Sequence, residues 1–236
     1  LEGKFGGETL LLKKGGVMTF KAVHMGGHIP DDENLEEWEH KFSPAIGDYM
    51  ANFFNGETSR ARERRLREGW YEKYCPEDKL GLDIGCSQDP VNKTFRRFDM
   101  AFGDGDAQFM YDFPNDTYWT VYASHVLEHM KFPEKALARW FELVKPGGHL
   151  IISIPHRDLY EKRKMLPSQW NPDHKYFWLP ETDEPPCTKS LKRVILEAIP
   201  NANIVDFRVI DEGYNHLVAP DQHPVGEYSI EAVIQK

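Results

Sequence analysis

In the stretch SHVLEHM, His125, Glu128 and His129 stand at i, i+3 and i+4. On a helix this spacing puts two imidazoles and a carboxylate on one face. There they can converge on a divalent cation, or take a proton from a substrate oxygen. A further histidine, His156 in PHRDLYE, follows an apolar run directly. It reads either as a loop histidine bonded to backbone or as a general base at the end of a strand.

The order His125-x-x-Glu128-His129 also spells one zinc peptidase signature. That chemistry needs a long buried helix and a third ligand further along the chain. Here the motif follows a strand-like run at once and is cut short by Lys131-Phe132-Pro133. The context argues against a peptidase.

The elements that must position these residues follow from hydrophobic periodicity. After Cys75-Pro76 come KLGLDIGC, RRFDMAF, WTVYASHVL and HLIISIP, short apolar runs separated by helical segments. Such alternation predicts a parallel sheet covered on both faces. PEKALARWFELVKPGG is the clearest helix, with Pro133 in its first turn, an apolar stripe of Leu137, Trp140, Phe141 and Val144, and Gly147-Gly148 expected to end it. A second helix, KSLKRVILEAI, precedes ANIVDFRVI and EYSIEAVIQ, which are expected to pair antiparallel at the sheet edge.

The organisation expected is a leader over 1–30, a helical cap or lid over 31–75, and the sheet domain over 76–236. Residues 1–17 precede Met18, part of them is expected to be a processed end, and they carry little functional weight. Arg60, Arg62, Arg64, Arg65 and Arg67 form the densest basic run, read as a solvated helix face or as a lid that meets an anionic substrate.

With 236 residues, 40% of them hydrophobic, the chain can bury one sizeable core. Its net charge of −9 disfavours a surface built to neutralise phosphate backbones. Cys75, Cys86 and Cys187 form no C-x-x-C pair, which points to a reducing compartment, the cytoplasm, with neither a disulfide framework nor a thiolate zinc site. No apolar run is long enough to cross a bilayer.

LDIGCSQDP places Asp83 inside a strand and Gly85 at its exit, where a bare backbone lets a ligand approach. Asp99 closes the next β-like run, where a carboxylate can accept from ribose hydroxyls. Asp106 ends a third short segment, GDGDAQ. From Leu80 to Lys236 the order LDIGC, an acidic second-strand end, GDA, YASHVLEHM, LVKPGGHLIISIP and a final hairpin resembles the class I S-adenosylmethionine-dependent methyltransferases.

The resemblance implies an α/β fold, a doubly wound, mainly parallel, seven-stranded Rossmann-like sheet whose last strand is antiparallel, with S-adenosylmethionine as cofactor. It implies that Asp83, Gly85, Cys86 and Ser87 surround the aminoacyl part, that Asp99 binds ribose, that Asp106 and Ala107 meet adenine, and that Ser124 lies beside the sulfonium. Ser87 and Asp89 stand where that family often has glycines, and Asp89 is expected to turn outward or to cap the segment after it.

Glu128, His129 and the later DHKYFW are similar to the metal motif of small-RNA 3′-terminal ribose 2′-O-methyltransferases. That likeness implies a divalent-metal site of His125, Glu128, His129 and His174, in which imidazoles favour manganese, iron, cobalt or zinc over magnesium. The alternative is that Glu128 and His129 serve local hydrogen bonds only. Because an alcohol must lose its proton before it accepts a methyl group, His125, His156 and His174 suit an oxygen nucleophile.

SHVLEHM, PHRDLYEK and PSQWNPDHKYFW look like methyltransferases of sugar and surface-glycan pathways. The expected activity is O-methylation of a sugar, glycan or other small-molecule hydroxyl. The alternatives are an RNA ribose O-methyltransferase and a cofactor-binding pseudoenzyme or partner subunit. No membrane span is expected, and a homodimer stays open.

Overall fold

The computed structural model describes residues 56–236 in full and, from the preceding stretch, three short strands, β1 (Glu2–Phe5), β2 (Glu8–Leu12) and β3 (Met18–Lys21). These three pair antiparallel in the order β1-β2-β3, in a unit of their own that ends at Asp48. The stretch read as a leader carries these three strands. The helical reading of 31–55 lies outside the described residues.

In the second unit, the six expected apolar runs become β4 (Gly81–Ile84), β5 (Arg96–Phe98), β6 (Tyr118–Ser124), β7 (Val144–Pro155), β10 (Asn203–Ile210) and β11 (Ser229–Gln235). They form one sheet in the order β10-β11-β7-β6-β4-β5. β5, β4, β6 and β7 run parallel, and β11 and β10 complete the sheet antiparallel. The chain leaves β4 for β5 on one side and returns to β6 on the other. This reversal opens a crevice at the carboxyl ends of β4 and β6.

Seven strands were expected, and six are present in this sheet among the described residues. The segment MAFGDGDAQFMYDFPND between β5 and β6 contains Gly103, Gly105 and Pro114 and no β-branched residue, so it forms turns instead of a strand. β8 (Phe177–Leu179) lies in the long aromatic connection 156–186 that follows β7, and it pairs in parallel with β9 (Thr188–Ser190), just beyond it, as a separate sheet.

Strand alternation builds two cores. Val121 and Ala123, Ile152 and Ile154, and Ile230 and Ala232 face one side, where they join Leu137 and Trp140 of α4 (Pro133–Leu143) and Val194 and Ile195 of α6 (Leu191–Ala198). Ser190 caps α6, its Oγ accepting from the Arg193 N–H at 3.2 Å. α4 ends at Leu143 instead of at the glycines, because Pro146 favours extended backbone before it and β7 starts at Val144.

Tyr122, Ile151 and Val233 face the other side and pack with Trp70 and Tyr74. Those two belong to α3 (Trp70–Tyr74), which follows α1 (Glu57–Arg60) and α2 (Arg62–Arg67). The described part of the expected lid is therefore a layer packed on the sheet. Within the basic run, Arg64 and Arg65 are 4% and 1% exposed. Arg65 donates to Glu231 at 2.6 Å and to the Tyr122 hydroxyl at 2.9 Å, and Arg64 pairs with Glu227 at 2.9 Å. These two guanidiniums anchor the helices and are not offered to an anionic substrate. Among the described residues, no helix is long and apolar enough to cross a membrane.

Candidate active site

The turn after β4 is held in a conformation that its sequence specifies. Gly85 adopts φ +69°, and a Cβ built on it would lie 2.2 Å from Val126 Cγ2. Only glycine meets both conditions. Gly85→Val is expected to lower Tm by several degrees and to abolish binding of S-adenosylhomocysteine, measured by thermal melting and isothermal titration. A variant with the parent's affinity would show that this turn does not form the cofactor cradle.

Ser87 follows at φ +45°, its N–H donating to Asp99 Oδ2 at 2.8 Å. The other Asp99 oxygen accepts from the Ala101 N–H at 2.8 Å. One carboxylate thus ties the turn after β4 to the end of β5, and each oxygen keeps a lone pair for a ligand hydroxyl. Asp89 turns away from the turn and accepts from the Ser59 N–H at 2.8 Å and from the Ser59 hydroxyl, so it caps α1. It caps an earlier helix, not the segment that follows it.

Asp83 lies beneath the turn, 1% exposed, with Oδ2 accepting from the Val91 N–H at 2.7 Å. Burial pushes its carboxyl up to about 7. The folded state therefore holds a proton that the unfolded chain has lost, and stability falls as pH rises from about 4 to about 7. Asp83→Asn keeps an acceptor for Val91 and is expected to flatten that part of the stability profile, as read by urea unfolding at pH 4.5 and pH 7.5. Equal pH dependence in parent and variant would contradict it.

A cleft of about 200 Å³ opens at the strand ends. Of the expected cofactor residues, Gly85, Asp99, Asp106 and Ala107 line it, as does His125. Asp83, Cys86, Ser87 and Ser124 do not. Asp83 and Cys86 are buried under the turn, and Ser124 ends β6 opposite Ser153. Sequence reasoning missed the apolar wall of Phe98, Met100, Val126 and Met130. Its one signal was a large apolar residue, Met100, directly after the acidic strand end, and this side chain is 69% exposed. Bare backbone, a carboxylate at the β5 end and an apolar wall fit a nucleoside.

SHVLEHM does not form the α-helix that its spacing suggested. His125 takes φ +53° at the end of β6, and Leu127–His129 make a single 3-10 turn. His125 Nε2 lies 3.0 Å from Ser229 Oγ, and burial drives its pKa down to about 4, so the imidazole is neutral at pH 7. Glu128 is fully buried, and among the described residues neither of its carboxylate oxygens has a hydrogen-bond partner. Oε1 lies 3.6 Å from His125 Nδ1 and 3.9 Å from His174 Nε2, both beyond hydrogen-bond range.

His174 reaches this place from the long aromatic connection. Its Nδ1 lies 2.8 Å from Glu161 Oε1, and that of His129 lies 3.0 Å from Asp173 Oδ2. One ligand atom each from Glu128, His129 and His174 fall within 4.8 Å of one another. The structure thus brings together three of the four expected metal residues and places His125 beside the carboxylate but outside the triple. His129 also lines the cleft at the strand ends, so the two sites adjoin. An orphaned carboxylate between two imidazoles fits a divalent cation.

His156 is not part of this group. Its Nδ1 accepts from the Asp158 N–H at 3.2 Å and caps α5 (Arg157–Tyr160), as the reading of a histidine bonded to backbone has it. Cation ligands alone do not exhaust the cluster, because Glu161 gave no sequence signal beyond being one charge among several in PHRDLYEK.

No curated protein matches this chain. Solved structures similar to it include an S-adenosylmethionine-dependent methyltransferase from Thermotoga maritima, at 16% identity and TM-score 0.49 over 86% of this chain and 97% of that one. Another from Archaeoglobus fulgidus is 15% identical, with TM-score 0.45 over 82% of this chain and all of that one. One from Mesorhizobium loti is 10% identical, with TM-score 0.43 over 67% and 91%. Residues 53–183 match the family model described as a methyltransferase domain, and the chain belongs to that family. By that membership it is a methyltransferase.

Proposed function

We propose that this methyltransferase acts on a hydroxyl oxygen of a sugar or glycan, with a divalent cation held by Glu128, His129 and His174. The observation that carries the reading is Glu128: a fully buried carboxylate with neither oxygen hydrogen-bonded among the described residues, grouped with the imidazoles of His174 and of His129, which lines the cleft. Such a group costs stability on its own and is retained where something must bind to it. One oxygen and two nitrogen donors favour manganese, iron, cobalt or zinc over magnesium.

An amine or carboxylate acceptor needs no such site, whereas an alcohol must be deprotonated to attack the sulfonium carbon. A cation there would favour the alkoxide, much as bound metal lowers the pKa of water from about 15.7 to about 7. His125, kept neutral by burial and held by Ser229, orients one wall of the cleft. Gly85 and Asp99 seat the nucleoside, and the side chains of Met100 and Met130 exclude water from it.

A second reading, the terminal ribose hydroxyl of an RNA, is favoured by the assembly of Glu128, His129 and His174 as that motif implies, and disfavoured by the net charge of −9. Three free cysteines, two of them buried, support a reducing compartment, the cytoplasm.

The test is transfer of isotopically labelled methyl to a panel of sugar nucleotides, glycans, RNA 3′ ends, amines and carboxylates. Transfer to a sugar or glycan hydroxyl supports the reading, and transfer to RNA alone selects the second. Methylation of amines or carboxylates only, or cofactor binding without turnover, would overturn both.

A further inference from the structure

Each neutral imidazole carries one N–H and one lone pair, and the partner of one nitrogen decides what the other presents. His174 Nδ1 lies 2.8 Å from Glu161 Oε1, and Glu161 is itself 1% exposed. The second oxygen of Glu161 accepts from the Ser168 hydroxyl at 2.8 Å and from the Gln169 N–H at 3.3 Å. Ser168 Oγ in turn accepts from the N–H groups of Trp170 and Asn171, at 3.3 and 3.1 Å, so its own hydrogen is directed to Glu161. The carboxylate is fixed from both sides, and an ionised carboxylate offers only acceptors. The His174 Nδ1–H then donates to Glu161, and Nε2 faces Glu128 across 3.9 Å.

Nε2 and the buried carboxylate face each other beyond hydrogen-bond range, an arrangement that a cation between them would complete. We infer that Glu161 is a positioning residue, which locks His174 in the Nδ1–H tautomer and so makes the Glu128–His129–His174 cluster selective for a cation over an internal hydrogen bond. Without Glu161, His174 could place its hydrogen on Nε2 and bond Glu128 directly, closing the site. Asp173 has the same relation to His129, but its side chain is 64% exposed and also bound to Lys175, so it holds less firmly. The inference rests on the cation reading above and adds to it the group that sets its affinity.

The test is made on the full chain after removal of metal with a chelator. Nitrogen-15 NMR of the histidine rings is expected to show His174 as the Nδ1–H tautomer, with the signal assigned by its absence from His174→Ala. Manganese titration should give binding in the parent and an affinity lower by about 10- to 100-fold in Glu161→Gln, the usual range for carboxylates behind a metal-bound histidine. S-adenosylhomocysteine affinity should be unchanged, and saturating manganese should restore turnover, which a general packing defect would not allow.

Should Glu161→Gln fail to fold, Ser168→Ala frees the carboxylate without touching His174 and is expected to weaken manganese binding a few-fold. An Nε2–H tautomer in the parent, or equal manganese affinity in parent and variants, would overturn the inference while leaving the cation reading intact. A parent that binds no manganese would overturn both.

Discussion

Glu128→Gln is expected to lower kcat by about 10²- to 10⁴-fold, the range that proton-transfer catalysis contributes, while raising the stability of the metal-free protein. The two effects have one origin. A carboxyl group that is fully buried, with neither oxygen hydrogen-bonded among the described residues, loses its hydration on folding and regains little. Two imidazole nitrogens lie at 3.6 and 3.9 Å, those of His125 and His174, and His125 is neutral at pH 7. A glutamine amide has the same shape and can donate to those imidazoles, so the substitution should recover on the order of 1–2 kcal/mol, about what an unsatisfied buried group costs. Loss of activity with gain of stability marks a group kept for function. Lower stability in the variant, measured by denaturant unfolding, would mean that Glu128 serves the fold, and unchanged kcat would remove it from the site.

The second large effect concerns the sheet's other face. Arg65→Ala is expected to cost about 3–5 kcal/mol, as breaking a buried ion pair from one side does. Arg65 is 1% exposed, bonded to Glu231 and Tyr122, and its guanidinium lies 4.3 Å from the Trp70 ring centroid. Its removal deprives Glu231 of its shortest bond and leaves Arg64 at 3.6 Å as the nearest cation. The guanidinium beside Glu231 holds that carboxyl below the usual range against the opposing effect of burial. A depressed folded pKa gives stability that is present above the ordinary value of about 4.3 and is lost as pH falls through the folded value. Acid unfolding of the parent should therefore show this loss, and Arg65→Ala should show less of it. A variant within about 0.5 kcal/mol of the parent, the usual effect of a surface change, would mean that the helices do not depend on this pair.

These two residues also mark what could be read in advance. The six strands were legible because Val121, Ile152 and Ile230 belong to short apolar runs between turn residues, a pattern local to each segment. Gly85 and Asp99 were legible because the demand for a bare, sharply turned backbone and for an acid at the next strand end is local as well. Arg64 and Arg65 were not. In a charge-rich helix they read as solvated, and their partners Glu227 and Glu231 lie 163 and 166 positions away. Sequence carries no mark of that pairing.

The same limit applied at the histidines. Residue type and spacing singled out Glu128 and His129, and the resemblance to a metal motif added His174, but the helix face supposed to unite the first two with His125 is a 3-10 turn, and the third arrives through a long connection. That Glu128 has no hydrogen-bond partner among the described residues, and that Glu161 stands behind His174, are facts of packing. At His156 sequence left two readings open, and the structure shows Nδ1 engaged at the N-terminus of α5.

The account turns on a cation beside the nucleoside cleft. The most direct measurement is anomalous diffraction at the manganese edge from crystals grown with S-adenosylhomocysteine and manganese. The account expects a single strong peak enclosed by Glu128, His129 and His174, with the nucleoside seated against Gly85 and Asp99. Nucleoside density in the cleft with no peak among those three side chains, at saturating manganese, would contradict it.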